Sequence, residues 1–464
     1  MNRAARRLVA FAVPVAVVAA LLGSTRASAP PPLFSSGLLG NATALAAIPP
    51  EAGEAQGAAY APGSTVLRLA DGRLRYLPAG ASDPVTVPAG DPGANARIAA
   101  DRAWLALGTV PGANAAERDA ASRSLLFLRL LQRPGGGVIA AATPYWADVW
   151  PRDASFAAAA FSVTGHRTEA AAILAFLART QRPDGTWPAR SHPDGTPVDD
   201  GRAPELDADG WVPWAAWLAS GQGHDHVLAA WSWPMVRAAA EAAASALRAG
   251  GLPAASPDYW ERNERQPTLG TAAALLTGLR AAADLAAALG HGQEGARWAA
   301  AAVRLAAATR RSFAGPAGYH RYPAPSSASS RVFGDDAGAA GGPDAAVTWL
   351  APPFAPPDPR VRAAVARAAA QLAPGGGGAV PGLAWSDPWT PATASFALAE
   401  TALGDRAAAA RQLGWLLGHR TSLGAFPERV RRADGTPRSV APLAWTHALV
   451  LLTLAEAEQP LPIP

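Results

Sequence analysis

TPYWADVWPRDASF, residues 143–156, sets three large aromatic residues and an acid directly in front of Arg152-Asp153, and an alanine-rich run follows at once. The run has helical spacing, so the aromatics and the charged pair sit in a connection just before a helix start. Twelve such helical runs are legible after about residue 112: 114–132, 153–164, 166–181, 208–220, 227–248, 268–289, 293–313, 343–350, 358–372, 390–402, 405–419 and 441–457. Asp358-Pro359, Thr390-Pro391 and Ser439 before Pro442 read as helix starts, and Gly165, Gly290 and Gly404 as stops. Connections leading into even-numbered runs span 17 to 29 residues, whereas those leaving them span seven or fewer. Short links join antiparallel neighbours, so all the long loops share one end of the assembly. The pattern predicts a mainly α protein, an (α/α)6 toroid of six helical hairpins with one elaborated rim. Long loops in a compact domain are usually functional, which puts the site at that rim.

Each long loop but one carries a polar-aromatic cluster. Residues 143–156 supply Trp146, Trp150, Arg152 and Asp153, and ELDADGWVPW (205–214) supplies Asp207, Asp209 and Trp211. SPDYWERNERQP (256–267) carries Trp260-Glu261, and WSDPWTP (385–391) carries Asp387 and Trp389. FPERVRRADGTPRSVAPLAWTHA (426–448) carries Glu428, Trp445 and His447. Aromatic faces beside fixed carboxylates and an arginine suit a sugar, whose C–H face stacks on rings while its hydroxyls bind charged groups. Cleaving a glycosidic bond takes two carboxyl groups, one protonated and one ionised. Glu261 and Glu428 come from separate loops and could flank one substrate. Trp260 beside Glu261 would desolvate it and raise its pKa, as suits a general acid, while Arg429, Arg431 and Arg432 would keep Glu428 ionised as a base.

Taken together, WPRD before a helix, LDADGW, the YWE loop, the PW pair and PER ahead of PLAWTH resemble glycoside hydrolase family 15, the glucoamylase family, which also holds glucodextranases and some trehalases. The resemblance runs from about residue 100 to the C-terminus. It implies an (α/α)6 barrel, inversion at the anomeric carbon, Glu261 as acid and Glu428 as base. Arg152 and Asp153 would bind hydroxyls of the terminal non-reducing glucose, with Trp150 lining that pocket. Three departures stand out. The large β-sandwich usual at the start of bacterial relatives is missing, GLAWSDPW lacks the arginine that precedes the PW pair in many relatives, and Trp146 stands where tyrosine is expected. A trehalase, a phosphorylase on the same toroid, and a glycan-binding protein with a dead site are the alternatives.

Other residues read as structural. Trp214, Trp217, Trp298 and Trp415 lie within helices as core, and His166, His224 and His291 sit at helix junctions, whereas His447 has a face that could turn to the site. No cofactor is expected, and no histidine–carboxylate spacing suggests a metal site.

Composition bounds the rest. The chain of 464 residues has no cysteine and no lysine, so its 40 basic residues are all arginine. Cysteine chemistry and disulfides are excluded. Residues 1–29 read as an export signal, or as an N-terminal anchor if uncleaved: a basic start, an apolar stretch LVAFAVPVAVVAALL and a small-x-small site at 27–29. Removing its four arginines leaves 36 basic against 36 acidic residues. Near-zero net charge argues against nucleic acid as partner, so the expected partner is a carbohydrate, bound by a secreted or extracytoplasmic monomer. Residues 30–63, rich in Pro, Ala and Gly, read as a flexible tether. Residues 64–111 read as a small β-containing region with a hairpin at Asp71-Gly72, and 112–464 as the toroid domain.

Overall fold

Alanine supplies no bulk and no polar atom, so a helix such as PRDASFAAAAFSV can be covered on every side. In the computed structural model, which describes residues 32–324 and 341–464 apart from 51 and 54, that helix is α3 (Pro151–Val163), buried over nearly its whole length. The segment read as an export signal or anchor lies outside the described residues. The inner ring consists of α3, α5 (Ala208–Ala219), α7 (Leu269–Ala288), a 3-10 helix (Ala345–Leu350), α10 (Thr390–Ala402) and α12 (Ala444–Glu458). Each packs on the next, and α12 returns to α3, closing the ring. The outer ring is α2 (Ala115–Leu131), α4 (Arg167–Thr180), α6 (His226–Ser245), α8 (Gly292–Phe313), α9 (Pro359–Leu372) and α11 (Arg406–Gly418). These helices expose one face. The expected toroid is therefore present, with its eighth helix in 3-10 form behind an Asp344 cap.

Close approach within the inner ring depends on missing side chains. A Cβ on Gly278 of α7 would sit 2.4 Å from the Gly210 Cα of α5, and one on Gly210 would sit 2.1 Å from the Ala274 carbonyl oxygen. Such contacts cannot be relieved by rotating a side chain, so the two helices cross backbone to backbone. Gly165, Gly290 and Gly404 all take positive φ where helices end.

The N-terminal part departs from expectation. The stretch read as a tether contains a hairpin, β1 (Gly37–Gly40) with β2 (Leu45–Ile48), and residues 35–41 are buried. It is held by long-range bonds that local composition does not reveal. The Leu38 N–H donates to the Tyr60 hydroxyl at 2.9 Å, which donates back to the Leu38 carbonyl at 2.6 Å. Thr421 Oγ1 donates to the Ser36 carbonyl at 2.6 Å. A four-stranded antiparallel meander follows, β3 (Ala59–Tyr60), β4 (Leu67–Arg68), β5 (Leu74–Tyr76) and β6 (Val85–Val87), with the expected turn at Gly72. The region 64–111 also contains α1 (Pro92–Leu105), capped by Asp91. Its apolar stripe is thin, and the helix holds on through Trp104, which bonds Glu169 and packs on His166 and Phe161.

One buried acid in the toroid predicts a pH effect. Burial, aided by Asp405, pushes the Glu400 carboxyl up to about 7, and its Oε2 meets no partner among the described residues. A raised carboxyl contributes most below its ordinary range, and that contribution is lost as pH rises through about 7. Glu400→Gln is therefore expected to stabilise the fold over the parent by up to about 3 kcal/mol more at pH 8 than at pH 4, seen as a larger gain in Tm at pH 8. Equal gains at both pH values in thermal melts would contradict it.

Candidate active site

The long loops do gather at one rim, and the loop carrying Glu428 is fastened there by backbone bonds. The Glu428 N–H donates to the Val440 carbonyl at 2.8 Å, its carbonyl accepts from Thr390 N at 3.0 Å, and the Val430 N–H donates to the Pro388 carbonyl at 3.0 Å. A two-stranded ladder, β9 (Arg429–Val430) with β10 (Pro437–Arg438), closes this loop on itself. Earlier in the chain β7 (Ala314–Gly315) and β8 (Gly318–Tyr319) form a similar clip after α8.

Glu261 sits at a sharp reversal. Its N–H donates to the Asp258 carbonyl at 2.7 Å, and its φ of 54° lies in the left-handed region that few non-glycine residues adopt. The reversal sends Glu261 into a small cavity at the rim and Trp260 the other way. That cavity encloses about 30 Å³ and is lined by Glu261 and Glu428 together, with Trp146, Trp150, Trp389, Arg152 and Asp153. Tyr259, Trp445, Leu443, Ala140 and Pro391 complete the wall. The space admits a water or two. Another cavity, of about 940 Å³, opens at the opposite, short-link end, but no Trp, Tyr or Phe lines it and it lies away from both glutamates.

Arg152 is the hub of the site. Its Nη1 bonds Glu205 Oε2 and Asp207 Oδ2, both at 2.8 Å, while Nη2 lies 3.9 Å from Glu261 Oε1 and Nε 3.9 Å from Asp153. Burial pushes the Asp153 carboxyl up to about 7 even with Arg152 beside it, and raises Glu205 and Asp207 as well. Glu428 is also raised by burial, against the pull of Arg429, Ser439 and Trp146, while Glu261 adds repulsion. Ser439 Oγ donates to Glu428 Oε2, the Trp146 indole lines the cavity beside the same carboxylate and helps to hold its pKa down, and Arg429 Nε lies 3.4 Å away. Arg202 Nη1 donates to Glu261 Oε2 at 2.6 Å, and the Glu261 side chain keeps 35% of its exposure.

The electrostatic expectation is thus reversed in part. Trp260 does not desolvate Glu261, and Glu428 is the more buried acid. Trp260 stands behind the site with the Arg321 guanidinium 3.7 Å from its ring and Trp385 beside it, and Tyr259 takes the wall position. Of the LDADGW residues, only Asp207 reaches the site, and it does so through Arg152. Asp209, two residues on along α5, points about 200° around the helix and is buried with both carboxylate oxygens unpartnered among the described residues. Trp211 packs into the core on Phe156, Trp349 and Phe354. His447 is structural too: its ring bridges Ser124 Oγ and the Phe426 N–H. Trp214, Trp217 and Trp298 are core, as read.

Sequence reasoning gives Trp445 a place in its cluster but no role, and gives no site role to Tyr259, Arg202, Glu205 or Ser439. Tyr259 and Glu205 lie inside stretches singled out for their neighbours, but no motif marks Arg202. Ser439 was taken for a helix start, whereas α12 begins at Ala444 and Ser439 holds φ 67° to reach Glu428. No arginine precedes the PW pair, but the Arg429 guanidinium, from another loop, lies 4.7 Å from the Trp389 ring.

No protein-family model matches the chain, and no curated protein does. Solved structures do. A glycosidase is 21% identical with a TM-score of 0.62 over 75% of this chain and 98% of its own, and one of its variants was solved in complex with glucose. A bacterial glucoamylase complexed with acarbose is 17% identical with a TM-score of 0.61, over 80% of this chain and 59% of its own. The glucoamylase from Saccharomycopsis fibuligera is 13% identical with a TM-score of 0.55, over 77% and 93%. Closed ring, shared rim and these likenesses agree: the chain has the (α/α)6 toroid fold of the glucoamylase-like glycosidases.

Proposed function

We propose that the protein is an exported, monomeric, inverting exo-glycosidase that releases glucose from the non-reducing end of an α-glucan or α-glucoside. The observation that carries this reading is that Glu261 and Glu428, 167 residues apart, line one cavity with a buried Arg–Asp pair and indole rings. Glu261, on the more open side, protonates the leaving oxygen. Glu428 takes the proton of a water that attacks the anomeric carbon from the other face. The Ser439 hydroxyl bond and the Arg429 charge 3.4 Å away orient its carboxylate for that task. Arg152 and Asp153 hold sugar hydroxyls, with Trp150 and Trp389 as walls. A pyranose needs more room than the cavity offers, so its entry displaces Arg202 from Glu261.

The test is a panel of maltose, isomaltooligosaccharides, trehalose and starch with free glucose as readout. Proton NMR of the first-formed anomer accompanies it. β-Glucose is expected; α-glucose as the initial product means retention and overturns the mechanism, and no release from any member overturns the activity.

A further inference from the structure

The chain before the toroid reaches the rim beside Glu428. The Phe34 N–H donates to the Ser439 carbonyl at 2.9 Å, and the Phe34 ring lies 6.3 Å from the Trp146 ring, tilted by 48°. Ser439 donates to the Glu428 carboxylate, and Trp146 lines the cavity beside it. The Trp146 main chain is bonded within its own loop, to Thr143 and from Ala141, both at 3.0 Å, while its ring meets Phe34. Ser439 holds a left-handed φ of 67° without being glycine, a conformation that persists only where its surroundings impose it. Trp146 follows Tyr145, which has φ 71° and is 82% exposed, so its loop is open to solvent on that side. Phe34 closes over both. The arm is itself anchored: Ser36 donates to Ile48 at 2.7 Å and accepts from Thr421 at 2.6 Å, which ties it to the β1–β2 hairpin and to the loop before Glu428.

We propose that the N-terminal arm is a working part of the active site, its main chain bonded to Ser439 and its Phe34 ring the positioning group that places Trp146 beside Glu428. The inference rests on the reading of Glu428 as the base. The toroid loops fix the backbone around that carboxylate; the arm adds the ring against which the Trp146 indole rests. Phe34 is 40% exposed, so its removal takes little from the core.

The experiment compares the full chain with Phe34→Ala and Phe34→Tyr. It measures kcat and KM for glucose release from maltose, Tm, and amide hydrogen exchange of peptides spanning 143–150 and 426–440. Phe34→Ala is expected to lower kcat about 10- to 100-fold with KM within about twofold. Exchange should rise in the 143–150 peptide, where the ring contact is lost, and not in 426–440, where the main-chain bond to Ser439 survives; Tm should hold, and Phe34→Tyr should restore the parent values. Unchanged exchange, raised exchange with unchanged kcat, or a general loss of protection with lowered Tm would each overturn the proposal. If the parent releases no glucose from maltose, the glucosidase reading is what fails there, and local exchange in 143–150 still decides whether the arm holds Trp146.

Discussion

Glu428→Gln and Glu261→Gln are each expected to lower kcat by about 10³-fold while the protein folds as before. Glutamine keeps the volume and one acceptor oxygen, so Ser439 retains a partner at position 428. Stability should not suffer, because burial already disfavours the charged form of Glu428. The two variants separate by leaving group. A base is needed whatever departs, so Glu428→Gln should stay slow on α-glucosyl fluoride. An acid is dispensable when fluoride leaves unprotonated, so Glu261→Gln should recover most of its rate on that substrate. Near-parent turnover of maltose or of the preferred panel substrate by either variant would remove the assigned pair.

Arg321→Met is expected to cost about 3–5 kcal/mol of stability, a large share of what a domain has. Arg321 is fully buried, and its guanidinium bonds Asp258 and Asp344 at 2.8 Å and Glu264 at 2.6 Å. Without it three carboxylates remain buried with no cation, and Tyr259, whose hydroxyl bonds Asp344, loses its support. The same cluster sets the Glu261 turn, since Asp258 also accepts from Trp260 N and Thr268 Oγ1. Activity should therefore fall along with stability. Burial raises Asp344 even with Arg321 present; in the variant that acid is more readily protonated, so the deficit should narrow as pH falls toward 4. Urea unfolding at pH 7 and pH 4 measures both effects. A loss below about 1 kcal/mol, the range of an exposed pair, would show the cluster to be ornamental.

How legible the site was can be judged residue by residue. Trp146, Trp150, Arg152, Asp153, Glu261, Trp389 and Glu428 stand on the cavity wall as the sequence placed them. Trp260, Asp209 and Trp211 do not. All three belong to clusters in which some neighbour does reach the site, so the error was of facing rather than of place. The N-terminal hairpin escaped notice because its bonds run to Tyr60 and Thr421, 22 and 385 residues away.

The sequence by itself determined the helical hairpins, their alternation of short and long links, and the rim to which the acids are carried. Those are properties of near neighbours: periodicity, caps and loop length act over a few residues. Only the tertiary structure decided which side chain of a cluster turns inward. A left-handed φ at Glu261 exchanged Trp260 for Tyr259, helix phase turned Asp209 away, and distant segments brought Arg202 to Glu261 and Phe34 to Ser439. Facing depends on backbone torsions and on contacts between remote parts of the chain, and neither is written in any single stretch.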